Sequence, residues 1–192
     1  MPLHETQEQL SNQARDILMQ VAEASIRHGL LHGSPLQVDP KSYMDPLQVT
    51  RASFVTLQQH GDLRGCIGHL EAFQPLIRDV AENAHAAAFQ DPRFPPLSDN
   101  ELGNLEIHIS VLTPAQPMVF SNEQELIAQL RPGQDGLILQ DGYNKGTFLP
   151  SVWESLPQPE EFIKHLKLKA GLPITHWSES LKVFRYETES FP

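Results

Sequence analysis

The single cysteine of this chain, Cys66, lies in the run Leu63-Arg64-Gly65-Cys66-Ile67-Gly68. Side chains of a strand alternate between its two faces, so Arg64, Cys66 and Gly68 are expected on one face and Leu63, Gly65 and Ile67 on the other. A guanidinium beside a thiol favours the nucleophilic thiolate, and glycines leave room for a ligand or another backbone. Cys66 is therefore a candidate nucleophile or redox group, and Arg64 a candidate for lowering its pKa or holding an anionic group. The same residues also fit a structural role. Free cysteines are often buried, and strand glycines mark bulges or close packing.

A second guanidinium, Arg93, stands in Asp91-Pro92-Arg93-Phe94-Pro95-Pro96 and is equally suited to an anionic ligand. Its structural reading is a rigid proline-shaped loop, with Phe94 filling a core gap and Arg93 paired to a carboxylate. Base candidates are His60, His69, His85 and His108; His69 is the weakest, because a regular strand puts it opposite Cys66. Glu106 and His108 share the polar face of one strand and can supply an acid or a base, although such a face commonly just meets solvent. His28 and His32 are four apart, a metal-ligand spacing only on a continuous helix, which Gly29 is expected to interrupt. No metal site is assigned. Lys164, Lys167 and Lys169 read as a solvated helix face.

The elements that must position these groups follow from periodicity. Apolar residues at three-to-four spacing predict a first helix over residues 6–29, with Thr6 and Gln9 as a capping box and Gly29 as its stop. A proline-bearing connection follows. Residues 51–58 and 63–70 predict a β-hairpin around His60-Gly61-Asp62, with Cys66 on its second arm. Pro75 opens a helix that ends near Phe89, before Pro92. Residues 105–111 alternate as a half-buried strand, and Ser121 or Asn122 caps a short helix. A second hairpin spans the loop at residues 141–146, a last helix runs from Pro159 to Ala170, and residues 181–187 form a closing strand. Interleaved helices and hairpins predict an α+β fold, with a mixed or antiparallel sheet and flanking helices.

At 192 residues the chain is expected to form one compact domain, with or without a smaller lobe. One cysteine makes no intrachain disulfide and no thiolate-rich zinc motif. A net charge of −10 argues against nucleic acid as a partner. No signal-like start or membrane-length apolar run is read, so a cytoplasmic protein with no membrane partner is expected.

Several segments together resemble one family. Residues 63–68, Ala86-Ala87-Ala88-Phe89-Gln90-Asp91-Pro92-Arg93-Phe94-Pro95-Pro96-Leu97, Asp135-Gly136-Leu137-Ile138, Gly146-Thr147-Phe148-Leu149-Pro150 and Lys169-Ala170-Gly171-Leu172 are similar to the AMMECR domain family over about residues 10–190. The resemblance implies an α+β protein with a main body and a smaller lobe, the cysteine motif lying near the cleft between them. It implies association with a Memo-type protein and a radical S-adenosylmethionine protein, and it brings no established reaction and no cofactor. Arg64, Gly65, Gly68, Asp91, Arg93 and Phe94 are carried over as binding candidates beside the catalytic candidates Cys66, Arg64 and Glu106. Asp135 and Ser151 depart from the histidine and glutamine often found in other branches. Two functional readings result: an enzyme or accessory subunit centred on Cys66, and a non-catalytic binding module whose motif is structural.

Overall fold

A computed structural model describes residues 9–192. The chain divides into two compact units, one reaching Leu112 and taking back Glu189–Pro192, the other formed by Thr113–Thr188. Each unit holds a four-stranded antiparallel sheet with helices, the α+β class expected from the interleaved pattern.

In the first unit α1 (Asn12–His32) starts at Ser11, whose hydroxyl accepts from Ala14 N, and stops at Gly33 with φ 72°. The helix therefore starts and ends later than its pattern suggested, and Thr6 lies outside the described residues. Gly29 does not end it. An alanine Cβ there would sit 2.3 Å from Cε2 of Phe89 and 2.7 Å from Cδ2 of His85. The glycine thus lets α1 approach α3 (Leu76–Phe89) closely, an interior role that outweighs its poor helix propensity. A short helix, α2 (Asp45–Gln48), lies in the connection expected to be irregular and buries Leu47.

Strands β1 (Ser53–Gln59) and β2 (Asp62–Gly68) form the predicted hairpin. His60 at φ 50° and Gly61 at φ 83° supply the two left-handed residues that a tight two-residue turn needs. With β3 (Leu105–Leu112) and β8 (Thr188–Phe191) the sheet order is β2-β1-β3-β8, so β2 is an edge. Val55, Leu57, Ile109 and Val111 face Leu76, Ile77, Val80, Ala84, Leu18 and Ile26 in one apolar core. Phe54, Thr56, Cys66, His108 and Ser110 occupy the opposite face, following the pleat.

The second unit contains β4 (Gln116–Pro117), α4 (Glu123–Ala128), β5 (Gly136–Asp141), β6 (Asn144–Phe148), α5 (Pro159–Lys169) and β7 (Lys182–Tyr186), with sheet order β4-β7-β5-β6. Asn122 caps α4, accepting from Glu125 N at 2.9 Å. The core gathers Leu137, Leu139, Val183, Ile163 and Leu166 around Trp153, which stacks on Phe162 at 3.8 Å. Lys167 is fully buried, contrary to the solvated face expected of the late lysines. Its ammonium donates to Glu123 at 2.8 Å and lies 5.8 Å from the Trp177 ring centroid. The expected closing strand is β7, an inner strand of this sheet. The chain closes on β8, which returns to the first sheet.

Candidate functional site

The alternation expected around Cys66 breaks at Arg64. Leu57 opposes Gly65 and Gln58 opposes Leu63, so Arg64 is the extra residue of a β-bulge and does not fall into the regular row of Cys66. Its side chain is folded away, only 8% of the residue being exposed. Nε donates to Glu101 Oε1 at 2.8 Å, and Nη2 to Glu101 Oε2 at 3.3 Å and to the Pro95 carbonyl at 2.8 Å, while Nη1 is buried without a hydrogen-bond partner among the described residues. The hydrogen bond from Arg64 is the main reason the Glu101 carboxyl is held down at about 2. Arg64 thus fastens the proline loop.

Asp91 fastens the same loop from the other end. It is 5% exposed, and its Oδ2 accepts from the Cys66 backbone N–H at 3.0 Å, a donor that the edge strand β2 would otherwise leave unpaired. Arg93 donates to both oxygens, Nε to Oδ1 at 3.0 Å and Nη2 to Oδ2 at 2.8 Å, and its backbone N–H reaches Oδ1 at 3.0 Å. That side-chain hydrogen bond is the largest influence holding the Asp91 carboxyl well below the carboxylate range, against the opposing effect of burial. It also raises the Arg93 guanidinium above its ordinary value, and the Cys66 thiol contributes in the same direction. The guanidinium tied to the cysteine through a shared carboxylate is therefore Arg93, since Asp91 holds both. Arg64 and Arg93 both lie over the Phe94 ring, at 5.8 Å and 5.5 Å from its centroid.

The Cys66 thiol is half-buried, 3.2 Å from Thr56 Oγ1. Cross-strand register sets Cys66, Thr56 and His108 in one row, and His108 Nε2 is buried without a hydrogen-bond partner among the described residues. No hydrogen bond joins the imidazole to Thr56 or to the thiol among the described residues, so the row is not a completed nucleophile–base pair. Glu106 is exposed in the neighbouring row opposite Gln58. Gly65 and Gly68 are close-packing positions. A Cβ on Gly65 would meet Ala87 O at 2.1 Å, and one on Gly68 would meet the Phe54 ring at 2.3 Å and Ser53 O at 2.4 Å.

Of the four base candidates, His60 is in the hairpin turn, and His85 is buried on α3, its pKa lowered first by burial and then by His28. His69 lies on the helix side of the sheet, opposite Cys66, as its position predicted. It is nonetheless the one that meets a buried carboxylate, with Nδ1 2.7 Å from Asp79 Oδ1. The helix carrying His28 and His32 is continuous and their rings are 4.4 Å apart. Among the described residues no group of three or more histidine, cysteine or carboxylate side chains is placed to hold a metal ion. Glu101 and Asp79 escaped the sequence reading. The Ser98 and Glu101 spacing is that of the capping box they form, a usable signal for Glu101; Asp79 had none.

Comparison with known proteins settles the family, since the AMMECR1 family model matches residues 19–191. The chain belongs to the AMMECR1 family. A protein of Methanothermobacter thermautotrophicus is 35% identical over 188 residues, covering 95% of each chain. One of Methanocaldococcus jannaschii is 38% identical over 159 residues, covering 79% of this chain and 77% of its own. The crystal structure of an uncharacterized Pyrococcus horikoshii protein superposes with a TM-score of 0.79 at 33% identity, covering 90% of this chain and 88% of that one. In this AMMECR1 chain the cysteine run and the proline loop are a single locked assembly, joined through Arg64, Glu101, Asp91 and the Cys66 amide. No helix among the described residues is long and apolar enough to cross a membrane. The second unit carries a groove of about 640 Å³ lined in part by Met118, Phe120, Trp177, Leu181 and Phe184; none of the site residues named above contributes to it.

Proposed function

We propose that this AMMECR1 chain is an accessory subunit that recognises a partner or an anionic ligand through the surface built by residues 63–68 and 91–97. We further propose that it acts with a Memo-type protein and a radical S-adenosylmethionine protein, as protein A of an AmmeMemoRadiSam system. The observation that carries the reading is where the motif's polar groups are spent: Arg64 on Glu101 and Pro95, and Asp91 on Cys66 and Arg93. Groups engaged in this way hold a loop rigid, and a rigid loop loses little entropy on binding. What the loop presents is Arg93, its side chain 55% exposed, beside Phe94. An arginine and an aromatic ring are the residue types that most often dominate recognition surfaces.

The test is capture of purified Memo-type and radical proteins by the immobilised chain. Arg93→Ala should weaken the apparent affinity about tenfold, the loss of one charge-assisted contact, and Cys66→Ala should leave capture unchanged. Equal capture by Arg93→Ala and the parent chain would remove the loop from the interface, and no capture by the parent would remove these partners.

A thiol enzyme is the second reading, favoured by the Thr56 hydroxyl 3.2 Å from Cys66 Sγ and by Arg93, whose carboxylate partner Asp91 also holds the Cys66 amide. It predicts that iodoacetamide alkylates Cys66 faster than free cysteine at pH 7, and that Arg93→Ala, rather than Arg64→Ala, removes the advantage. A Cys66 slower than free cysteine in the folded chain ends this reading.

A further inference from the structure

The Asp79 and His69 pair lies on the helix side of the first sheet and is not part of the Arg93 surface. Asp79 stands in the first turn of α3 and is 1% exposed. Its Oδ2 accepts from Ser53 N at 2.8 Å, Ser53 Oγ at 2.6 Å and Asn83 Nδ2 at 2.9 Å, and its Oδ1 from Gln74 Nε2 at 3.1 Å. Backbone and amide N–H groups only donate, so both carboxylate oxygens are acceptors. His69 Nδ1, 2.7 Å from Oδ1, completes the shell as N–H. In the neutral imidazole that assignment leaves the lone pair on Nε2, for which no hydrogen-bond partner is found among the described residues. The His69 side chain is 36% exposed, and its ring meets that of Phe73 edge-on at 4.8 Å. Phe73 is itself 62% exposed, an unburied aromatic beside an oriented imidazole.

An imidazole whose Nδ1–H is held by a buried carboxylate has a fixed tautomer and a compensating charge in place for any cation that forms on the ring. Both properties make Nε2 a better nucleophile. We propose that His69 Nε2 is an acyl-accepting nucleophile, oriented by Asp79, for small activated acyl compounds whose apolar part rests on Phe73. The Nε2 lone pair forms a bond to the acyl carbon and the carbonyl π pair moves to oxygen. As the carbonyl re-forms, the bond to the leaving group breaks and that group departs with the electron pair. The positive charge on the acylated ring is balanced through Nδ1–H by Asp79. Water then attacks the acyl carbon, the bond from that carbon to Nε2 breaks with its electron pair returning to nitrogen, and the proton that the water sheds is taken up by the departed alkoxide, leaving the carboxylic acid and the neutral imidazole. The net reaction consumes one ester and one water and yields one acid and one alcohol.

The probe is p-nitrophenyl acetate on the full chain, read as p-nitrophenolate release and as acetyl located by peptide mass spectrometry. His69→Gln should slow release by about tenfold or more, a modest part of what a positioned catalytic group supplies. His60→Asn should leave it unchanged, because His60 is a turn residue at φ 50°, which asparagine tolerates. Acetyl should be found on His69 at short times. Nitrogen-15 spectra of the imidazole should show protonated Nδ1 and bare Nε2, a readout that does not depend on catalysis. Unchanged release by His69→Gln, acetyl on Cys66 in place of His69, or a dominant Nε2–H tautomer would each overturn the proposal.

Discussion

Gly65→Ala is expected to destabilise the first unit by about 4 kcal/mol or more, the extreme of the range for single substitutions. The added Cβ would lie 2.1 Å from the Ala87 carbonyl oxygen and 3.0 Å from its carbon, both backbone atoms of α3. A flexible side chain can turn aside at little cost, but a helix backbone cannot. Overpacking a core ordinarily costs about 1–3 kcal/mol through shifted rotamers and small backbone movements. Here α3 is held on one face by the sheet and on the other by α1 at Gly29, so it has no direction in which to relax. Gly103→Ala is the matched control, since a Cβ there meets nothing within 4 Å; its cost should stay within about 0.5 kcal/mol. Urea unfolding of the two variants measures both. A Gly65→Ala protein within about 1 kcal/mol of the parent would mean that α3 moves away freely, and the close-packing account of the motif would fall.

The same contact reinterprets the motif. Glycines beside a cysteine suggest space for a ligand, yet at Gly65 the space is filled by the backbone of α3, and at Gly68 by Phe54 and Ser53. Arginine beside cysteine suggests an activated thiol, yet Arg64 is spent on Glu101 and Pro95. The chemistry that the residue types advertise is used largely to bind an edge strand, a helix and a proline loop into one piece. What remains outside that lock, Arg93 with Phe94, is the part available for recognition.

The fold was legible wherever local signals agreed. The β1–β2 hairpin, the start of α3 after Pro75, the start of α5 at Pro159 and the strand alternation of Glu106, His108 and Ser110 follow from turn chemistry and period alone. Gly29 misled because a helix-terminating residue and a helix-packing residue are the same residue, and only the tertiary partner decides. Arg64 misled because one inserted residue displaces the alternation, and a bulge leaves no mark in the run itself. Lys167 misled because helix charges are usually solvated, whereas this one is paired with Glu123, 44 positions away. The pairing of Arg93 with a carboxylate was legible, and the structure makes Asp91 that carboxylate. Asp79 was not, since it sits among Leu76, Val80 and Ala84 with nothing in the spacing to separate a buried acid from an exposed one.

Asp79→Ala is the second large effect expected, about 3–5 kcal/mol, estimated from three stranded donors at about 1–3 kcal/mol each with partial relief by water. The carboxylate ties the start of β1 through Ser53, the approach to α3 through Gln74, α3 itself through Asn83, and the end of β2 through His69. Alanine removes both acceptor oxygens at once and leaves the Ser53 N–H, the Ser53 hydroxyl and the Asn83 amide buried. Asp79→Asn should cost less, because it keeps the volume and one acceptor oxygen, although its amide N–H₂ then faces donors. Asp141→Ala should cost less still. Its partners Ser178, Ser180 and His176 are hydroxyls and an imidazole that regain water when released, whereas the donors around Asp79 are enclosed. His69→Gln should be mild for the same reason, the imidazole being half-exposed at the rim. The predicted order of thermal midpoints is therefore parent, then His69→Gln and Asp141→Ala together, then Asp79→Asn, then Asp79→Ala. An Asp79→Ala protein that melts with the Asp141→Ala protein would show that enclosure does not set the cost. The buried carboxylate would then no longer count as the fixed point that orients His69.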